Sequence, residues 1–266
     1  MAETKIPTII LCGGKGTRMS GYDPTIPKPM VPIGGRPILW HIMHIYSAFG
    51  YSDFCLALGW LGDVIRRYVV DFMALNHDFT VDLSRPDRLD ILGPSGCYDW
   101  RITCRETGWD ALTGNRVAQV ARQLGADRFM VTYGDCVGDI DVTALVEHHV
   151  KHGRLATVTA VRPPSRFGEL ILGPGEEVRR FEEKPLTSTG AINGGFMVFE
   201  AEALEMFPAD GDFMLEREPL SALANAGQLT AYVHDGFWQP MDTPRERELL
   251  ENLWDSGAPP WRVWSQ

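Results

Sequence analysis

Residues 6–16 read IPTIILCGGKG, and the order of residue types along them decides how the chain is built. An apolar run rich in β-branched side chains that stops at two glycines is the pattern of a strand buried on both faces, delivering its carboxyl end into a loop. Gly13, Gly14 and Gly16 let the backbone take positive φ and keep side chains from shielding its amides. Arg18 follows two residues later with a planar fork of donors. A bared backbone beside such a fork suits phosphate oxygens. The loop matches neither G-x-x-x-x-G-K-[ST] nor G-x-G-x-x-G, so an ordinary glycine-rich strand-to-helix turn explains these glycines equally well. Ten residues beyond Arg18, Lys28 stands between Pro27 and Pro29. Two fixed φ angles limit where its ammonium can reach, which suits a placed cation, although a structural turn remains the alternative.

Working outward, RPILWHIMHIYSAFG (36–50) has a proline at its start and a glycine at its end, the punctuation of a helix. DFCLALG (53–59) repeats the buried-strand pattern and GDVIRRYVVDFM (62–73) the helical one. A helix is expected near 113–123, and a strand over 128–133 runs into Gly134 and Asp135. Strands alternating with helices predict a parallel sheet covered on both faces, with ligands beyond the carboxyl ends of its strands. Between 76 and 106 the rhythm changes to short alternating runs, FTVDL, RLDIL and WRITCRE, expected to form a hairpin-like insertion. ATVTAVR, GELIL, VRRFEEKP and INGGFMVFE add at least four strands, and a C-terminal helix and tail occupy 243–266. The expectation is one α/β domain over 1–266, a Rossmann-like, mostly parallel mixed sheet, with a small β-hairpin insertion and a helical C-terminal part.

Length and composition agree. With 266 residues, 44% of them hydrophobic, the chain is large enough for a substantial core, which excludes disorder. A formal charge of −10 opposes a nucleic-acid polymer while leaving room for small anions in a local cationic pocket. The start, MAETKIPTIIL, lacks a leader pattern, and no apolar run approaches membrane-spanning length. Five cysteines with no CxxC pair argue against a disulfide framework or zinc ribbon. A soluble protein of the reducing cytoplasm is expected.

Two carboxylates stand out. Asp135 follows a strand, and Asp242 in QPMDT precedes a helical run, so both can meet at one sheet edge and hold Mg²⁺, which favours one or two carboxylates completed by phosphate and water. The plainer alternatives are a loop aspartate and a helix N-cap. Lys184 in FEEKP suits a sugar phosphate, or else pairs with Glu182 or Glu183. Gly108 and Gly114 in TGWDALTGNRV are placed to pass a flat ring closely. His41 and His44, and the cluster His148, His149 and His152, lack a third ligand at zinc spacing and are expected to pack. The eight tryptophans are expected in the core or at subunit contacts rather than stacking bases.

GGKGTRMSGYDPTIPKPMVPIGGRPILWHIM, together with VTYGDCVGDID, FEEKP, INGGFMVFE and HDGFWQPMDTPRERELLENLW, resembles the sugar-phosphate nucleotidyltransferases over nearly the whole chain, and their cytidylyl branch in particular. The resemblance implies CTP and a hexose 1-phosphate as substrates, Mg²⁺ as cofactor and a homo-oligomer. It places Arg18, Lys28 and Lys184 in catalysis, and Leu11, Gly13, Gly14, Gly16, Thr17, Gly108, Gly114 and Arg116 around the nucleotide. Tyr133, Gly168, Glu183, Lys184 and Asn193 fall around the sugar phosphate, and Asp135 and Asp242 on the metal. Arg116 matches the arginine that marks the branch. An arginine only donates, so it rewards cytosine O2 without rejecting uracil. The departures are Asn115 for glycine, Cys12 for alanine, Pro27 for lysine and Cys136 for a smaller residue. Another base or sugar (dTTP, UTP, a modified hexose or heptose phosphate), or a regulatory protein without turnover, stand as alternatives.

Overall fold

The computed structural model describes residues 6–16, 23–85, 89–92, 98–162, 169–182 and 190–264. Thr17, Arg18, Gly168, Glu183 and Lys184 lie outside them. The centre is an eight-stranded mixed sheet. Its strands are β1 (Thr8–Leu11), β2 (Asp53–Leu58), β3 (Arg101–Glu106), β4 (Arg128–Tyr133), β5 (Ala156–Val161), β6 (Ile192–Asn193), β7 (Met197–Glu200) and β8 (Leu229–His234). β3, β2, β1 and β4 run parallel in that spatial order. β7 joins β4 antiparallel, β5 pairs antiparallel with β7 and β6, and β8 closes the far side parallel to β5.

Burial explains why β1 and β2 are dominated by apolar residues. Ile10, Phe54, Leu56 and Leu58 face one core with α1 (Ile38–Ala48), α2 (Gly62–Val70), Val142 and Leu250. Ile9, Leu11, Cys55 and Ala57 face a second core with α3 (Thr113–Leu124) and Leu223. Alternate residues of each strand therefore serve opposite layers, so both faces select apolar side chains, with the small hydroxyl of buried Thr8 the polar exception in β1. The remaining α-helices of the described residues are the short Phe72–Asn76 and α4 (Val142–His152), α5 (Glu218–Asn225) and α6 (Pro244–Asp255). Among the described residues no helix is long and apolar enough to cross a membrane.

Three segments differ from expectation. The insertion's hairpin consists of Phe79–Val81 against Leu89–Ile91 alone, while Arg101–Glu106 is the parallel edge strand of the main sheet. An edge strand with one covered face alternates as a hairpin strand does, and periodicity cannot separate the two. INGGFMVFE splits into β6 and β7 around Gly194–Phe196, where buried Phe196 takes φ 45° and stacks on Tyr46 at 5.3 Å. Ahead of the C-terminal helix, residues 229–240 supply β8 and the short strand Trp238–Pro240, which the expectation from sequence does not name.

Candidate active site

Parallel strands deliver their following loops to one edge, and that edge carries a cavity of about 440 Å³. β1 enters it with Leu11, followed by Gly13, Gly14 and Gly16, all of which line it. Lys28 lines it from a 3₁₀ turn, Lys28–Met30, started by Pro27 at φ −67° and anchored by buried Pro29. The paired prolines thus form a rigid pedestal under the ammonium. Tyr133 and Asp135 enter from β4. Gly134 between them is a site residue that motif reading missed. Its N–H donates to Leu11 O at 3.1 Å, and a Cβ there would collide with that same oxygen and with Pro29.

Asp242, 107 positions after Asp135, reaches the cavity by a simple device. Cys136–Gly138 pairs antiparallel with Trp238–Pro240, and Met241 N–H donates to Asp135 O at 2.9 Å. The capping alternative for Asp242 does not hold. Thr243 caps α6, its hydroxyl accepting from Glu246 N–H at 3.3 Å while Glu246 accepts from the Asp242 and Thr243 amides at 2.7 and 2.9 Å. This reciprocal box turns Asp242 toward the cavity.

Lys28 Nζ donates to Asp135 Oδ2 at 2.6 Å and to Asp242 Oδ1. The three side chains are mostly buried, and Lys28 keeps 11% exposure. Burial alone would pull the Lys28 pKa down, but the Asp135 and Asp242 carboxylates outweigh it and hold it above its ordinary value. Two carboxylates aimed at one cation, with an open cavity beside them, form a hard-oxygen pair suited to a divalent ion. Burial pushes the neighbouring Cys12 and Cys136 thiols far up, which keeps them protonated and unreactive.

Arg116 lines the cavity yet is only 3% exposed. Its guanidinium donates to Leu58 O, Thr107 Oγ1 and Gly108 O at 2.9, 2.7 and 2.8 Å, and to Gly13 O at 3.0 Å. It also fills the places where Cβ atoms of Gly13 and Gly59 would stand. In this geometry it buckles the ends of β1, β2 and β3 together, and its donors meet backbone and hydroxyl oxygens of the chain itself. Gly114 likewise contributes through packing, since Phe213 and Leu215 occupy the space beside its Cα. Gly108 and Gly114 stand outside the cavity lining. In their place Trp109, 56% exposed, and Thr113 line that wall. Asn193 stands one hydrogen bond behind the wall, its Nδ2 donating to Tyr133 Oη at 3.3 Å.

The sequence model described as nucleotidyl transferase matches residues 7–59 and 99–244. The chain belongs to the nucleotidyl transferase family. The stretch left unmatched, 60–98, contains α2 and the inserted hairpin, so the family's shared part is the sheet and the loops that build the cavity. The chain is 42% identical over 257 residues to glucose-1-phosphate cytidylyltransferase of Salmonella typhimurium, covering 96% of this chain and 98% of that one. It is 41% identical to a protein of Bacillus subtilis described as a probable glucose-1-phosphate cytidylyltransferase, with coverages of 96% and 99%. It is 27% identical to mannose-1-phosphate guanyltransferase of Gibberella zeae over 90% of this chain and 61% of that one. HddC from Yersinia pseudotuberculosis superposes with a TM-score of 0.68 over 94% of this chain and 99% of that chain, at 22% identity, which shows a shared fold.

Proposed function

We propose that this nucleotidyl transferase moves CMP from CTP to a hexose 1-phosphate, with α-D-glucose 1-phosphate the preferred acceptor. A phosphate oxygen of the sugar phosphate attacks the α-phosphorus in line, forming a new P–O bond as the bond to the β-phosphate breaks, and pyrophosphate departs with the electron pair. The attacking oxygen is already ionised near neutral pH, so no general base is required. The obstacle is repulsion between two anions, which placed cations and fixed donors remove.

The observation that carries this reading is the meeting of Lys28, Asp135 and Asp242, from three distant segments, on the wall of a cavity floored by the glycine loop. Asp135 and Asp242 hold Mg²⁺, and the position of the Lys28 ammonium between them supports a cation there. When bound, Mg²⁺ offsets phosphate charge. Lys28 and Arg18 steady the triphosphate on the loop that includes Thr17. Lys184 meets the incoming phosphate, and Glu183, Asn193 and Gly168 the sugar. CTP and glucose 1-phosphate are favoured by the relatives at 42% and 41% identity over nearly full length.

The four described free thiols, three of them fully buried, support a reducing cytoplasm. A homo-oligomer is supported by exposed apolar side chains at Val70, Leu75, Leu83 and Leu92 around the insertion. The alternative contact, the C-terminal tryptophans, is less favoured because Trp261 is wholly buried against His41 and Phe237 of its own chain.

The test is pyrophosphate release by the purified protein with CTP, UTP, dTTP and GTP, each crossed with glucose, mannose and heptose 1-phosphates. CTP with glucose 1-phosphate is expected to give the highest kcat/KM. A different leading nucleotide overturns the base assignment, and release with none overturns the reaction.

A further inference from the structure

Glu216 sits in the segment between the 3₁₀ turn Ala201–Met206 and α5, where LEREPL resembles a solvated helix start. The structure puts it behind the cavity, touching both ends of the site. Thr113 Oγ1 donates to Glu216 Oε2 at 2.7 Å, and Tyr133 Oη donates to Glu216 Oε1 at 2.5 Å. Both donors line the cavity, Thr113 at the start of α3 on the wall that carries Trp109, and Tyr133 at the end of β4 beside Asp135. Glu216 is outside that lining.

The hydrogen-bond polarity runs toward Glu216 from both sides. Thr113 Oγ1 already accepts from Leu215 N–H at 3.0 Å, so its proton points to Glu216. Tyr133 Oη accepts from Asn193 Nδ2, whose own orientation is fixed by Gly195 N–H donating to Asn193 Oδ1 at 3.0 Å. Two hydroxyl protons thus converge on one side chain, and an acceptor-only carboxylate satisfies both at once. The segment that carries Glu216 is itself fixed to the same wall: Gly114 N–H donates to Phe213 O at 3.1 Å, and Leu112 N–H donates to Asp212 Oδ1 at 2.8 Å. Burial, reinforced by the Glu216 carboxylate, raises the Tyr133 phenol above its ordinary value.

We propose that Glu216 is a positioning residue that couples the nucleotide side of the cavity to its sugar-phosphate side. It sets the rotamers of Thr113 and Tyr133 together, so a ligand ordering one end prepares the other. The proposal rests on the two-substrate reading above and assigns the work to a residue behind the cavity, acting through Thr113 and Tyr133.

A glutamine at 216 has nearly the same shape but offers a single acceptor oxygen, and its amide meets the second hydroxyl proton with another donor. The test compares wild type with Glu216→Gln and Glu216→Ala, using the nucleotide and sugar phosphate that wild type turns over fastest in the release screen. The sugar-phosphate Kd is measured with and without the matching non-hydrolysable nucleotide, alongside kcat, both KM values and the melting temperature. Nucleotide is expected to tighten sugar-phosphate binding in wild type several-fold. In Glu216→Gln that factor falls toward one, both KM values rise, and kcat/KM drops roughly ten- to a hundred-fold at a near-unchanged melting temperature, as loss of a charged hydrogen-bond partner warrants. An equal tightening factor in Glu216→Gln and wild type overturns the coupling. A loss seen in Glu216→Ala alone, in step with its melting temperature, reduces Glu216 to a structural contact. A screen led by another nucleotide or sugar alters the substrate assignment and leaves the comparison intact.

Discussion

Arg116 shows how one side chain can match a family motif and at the same time carry structural work. Its guanidinium is spent on the carbonyls of Gly13, Leu58 and Gly108 and on Thr107 Oγ1. Removing it takes a donor from each of them, and although Leu58 O keeps Thr107 N–H and Oγ1 and Gly13 O keeps Trp60 N–H, the buried network at the ends of three strands is broken. Arg116→Met is therefore expected to cost about 2–4 kcal/mol and to lower the melting temperature by roughly 5 to 15 °C in a calorimetric scan. An arginine that only read the base would shift nucleotide preference at constant melting temperature. Lys28 was more legible, since prolines on both sides of a lysine announce a placed ammonium. Asp242 was legible only as one of two alternatives, because the capping box that frees it depends on Thr243 and Glu246 closing on each other. Glu216 gave no signal, since its partners lie 103 and 83 residues away.

Among the elements, α3 shows how a glycine serves packing. Gly114 lies in its first turn, where Phe213 and the Leu215 amide press against the helix. Gly114→Ala is expected to destabilise the protein by about 1–3 kcal/mol in chemical denaturation, against the usual gain of an alanine in a helix. KM for the nucleotide should rise too, because Thr113 moves with that turn. The strands with two buried faces, β1, β2 and β4, were legible because apolar residues dominate them, with the small hydroxyls of Thr8 and Thr132 the buried exceptions. β3 was misplaced into the insertion, since its outer edge and one face meet solvent and its alternation imitates a hairpin. β8 was missed for a related reason: LTAYVH alternates partly exposed residues at the sheet's far edge and follows a helix whose end is marked only by Gly227.

At the scale of the whole molecule, α1 ties the C-terminus to the sheet through histidines that burial keeps neutral. Trp261 Nε1–H donates to His41 Nδ1, so the His41 proton lies on Nε2 and donates to Ile33 O at 2.9 Å. His44 lies among Trp40, Trp100 and Trp264, with ring centroids 4.0, 4.8 and 4.8 Å away. Burial lowers both pKa values from 6.5 to about 4. A depressed folded-state pKa means that the unfolded chain takes up the proton first. Their stability contribution is therefore complete above pH 6.5 and is lost as pH falls through that window toward 4. His44→Phe should flatten the fall in melting temperature across that window relative to wild type, and parallel curves would refute the assignment. The same scale holds the central claim, that separate loops of one sheet edge form a single site for nucleotide and metal. Crystals grown with Mn²⁺ in place of Mg²⁺ and a non-hydrolysable CTP analogue test it most directly, by anomalous scattering. The account predicts one ion ligated by both Asp135 and Asp242 at about 2.0–2.2 Å, close to octahedral Mg²⁺ distances, with Lys28 turned from the carboxylates to the phosphates. An ion bound away from either aspartate, or a nucleotide outside the cavity floored by Gly13–Gly16, would contradict it.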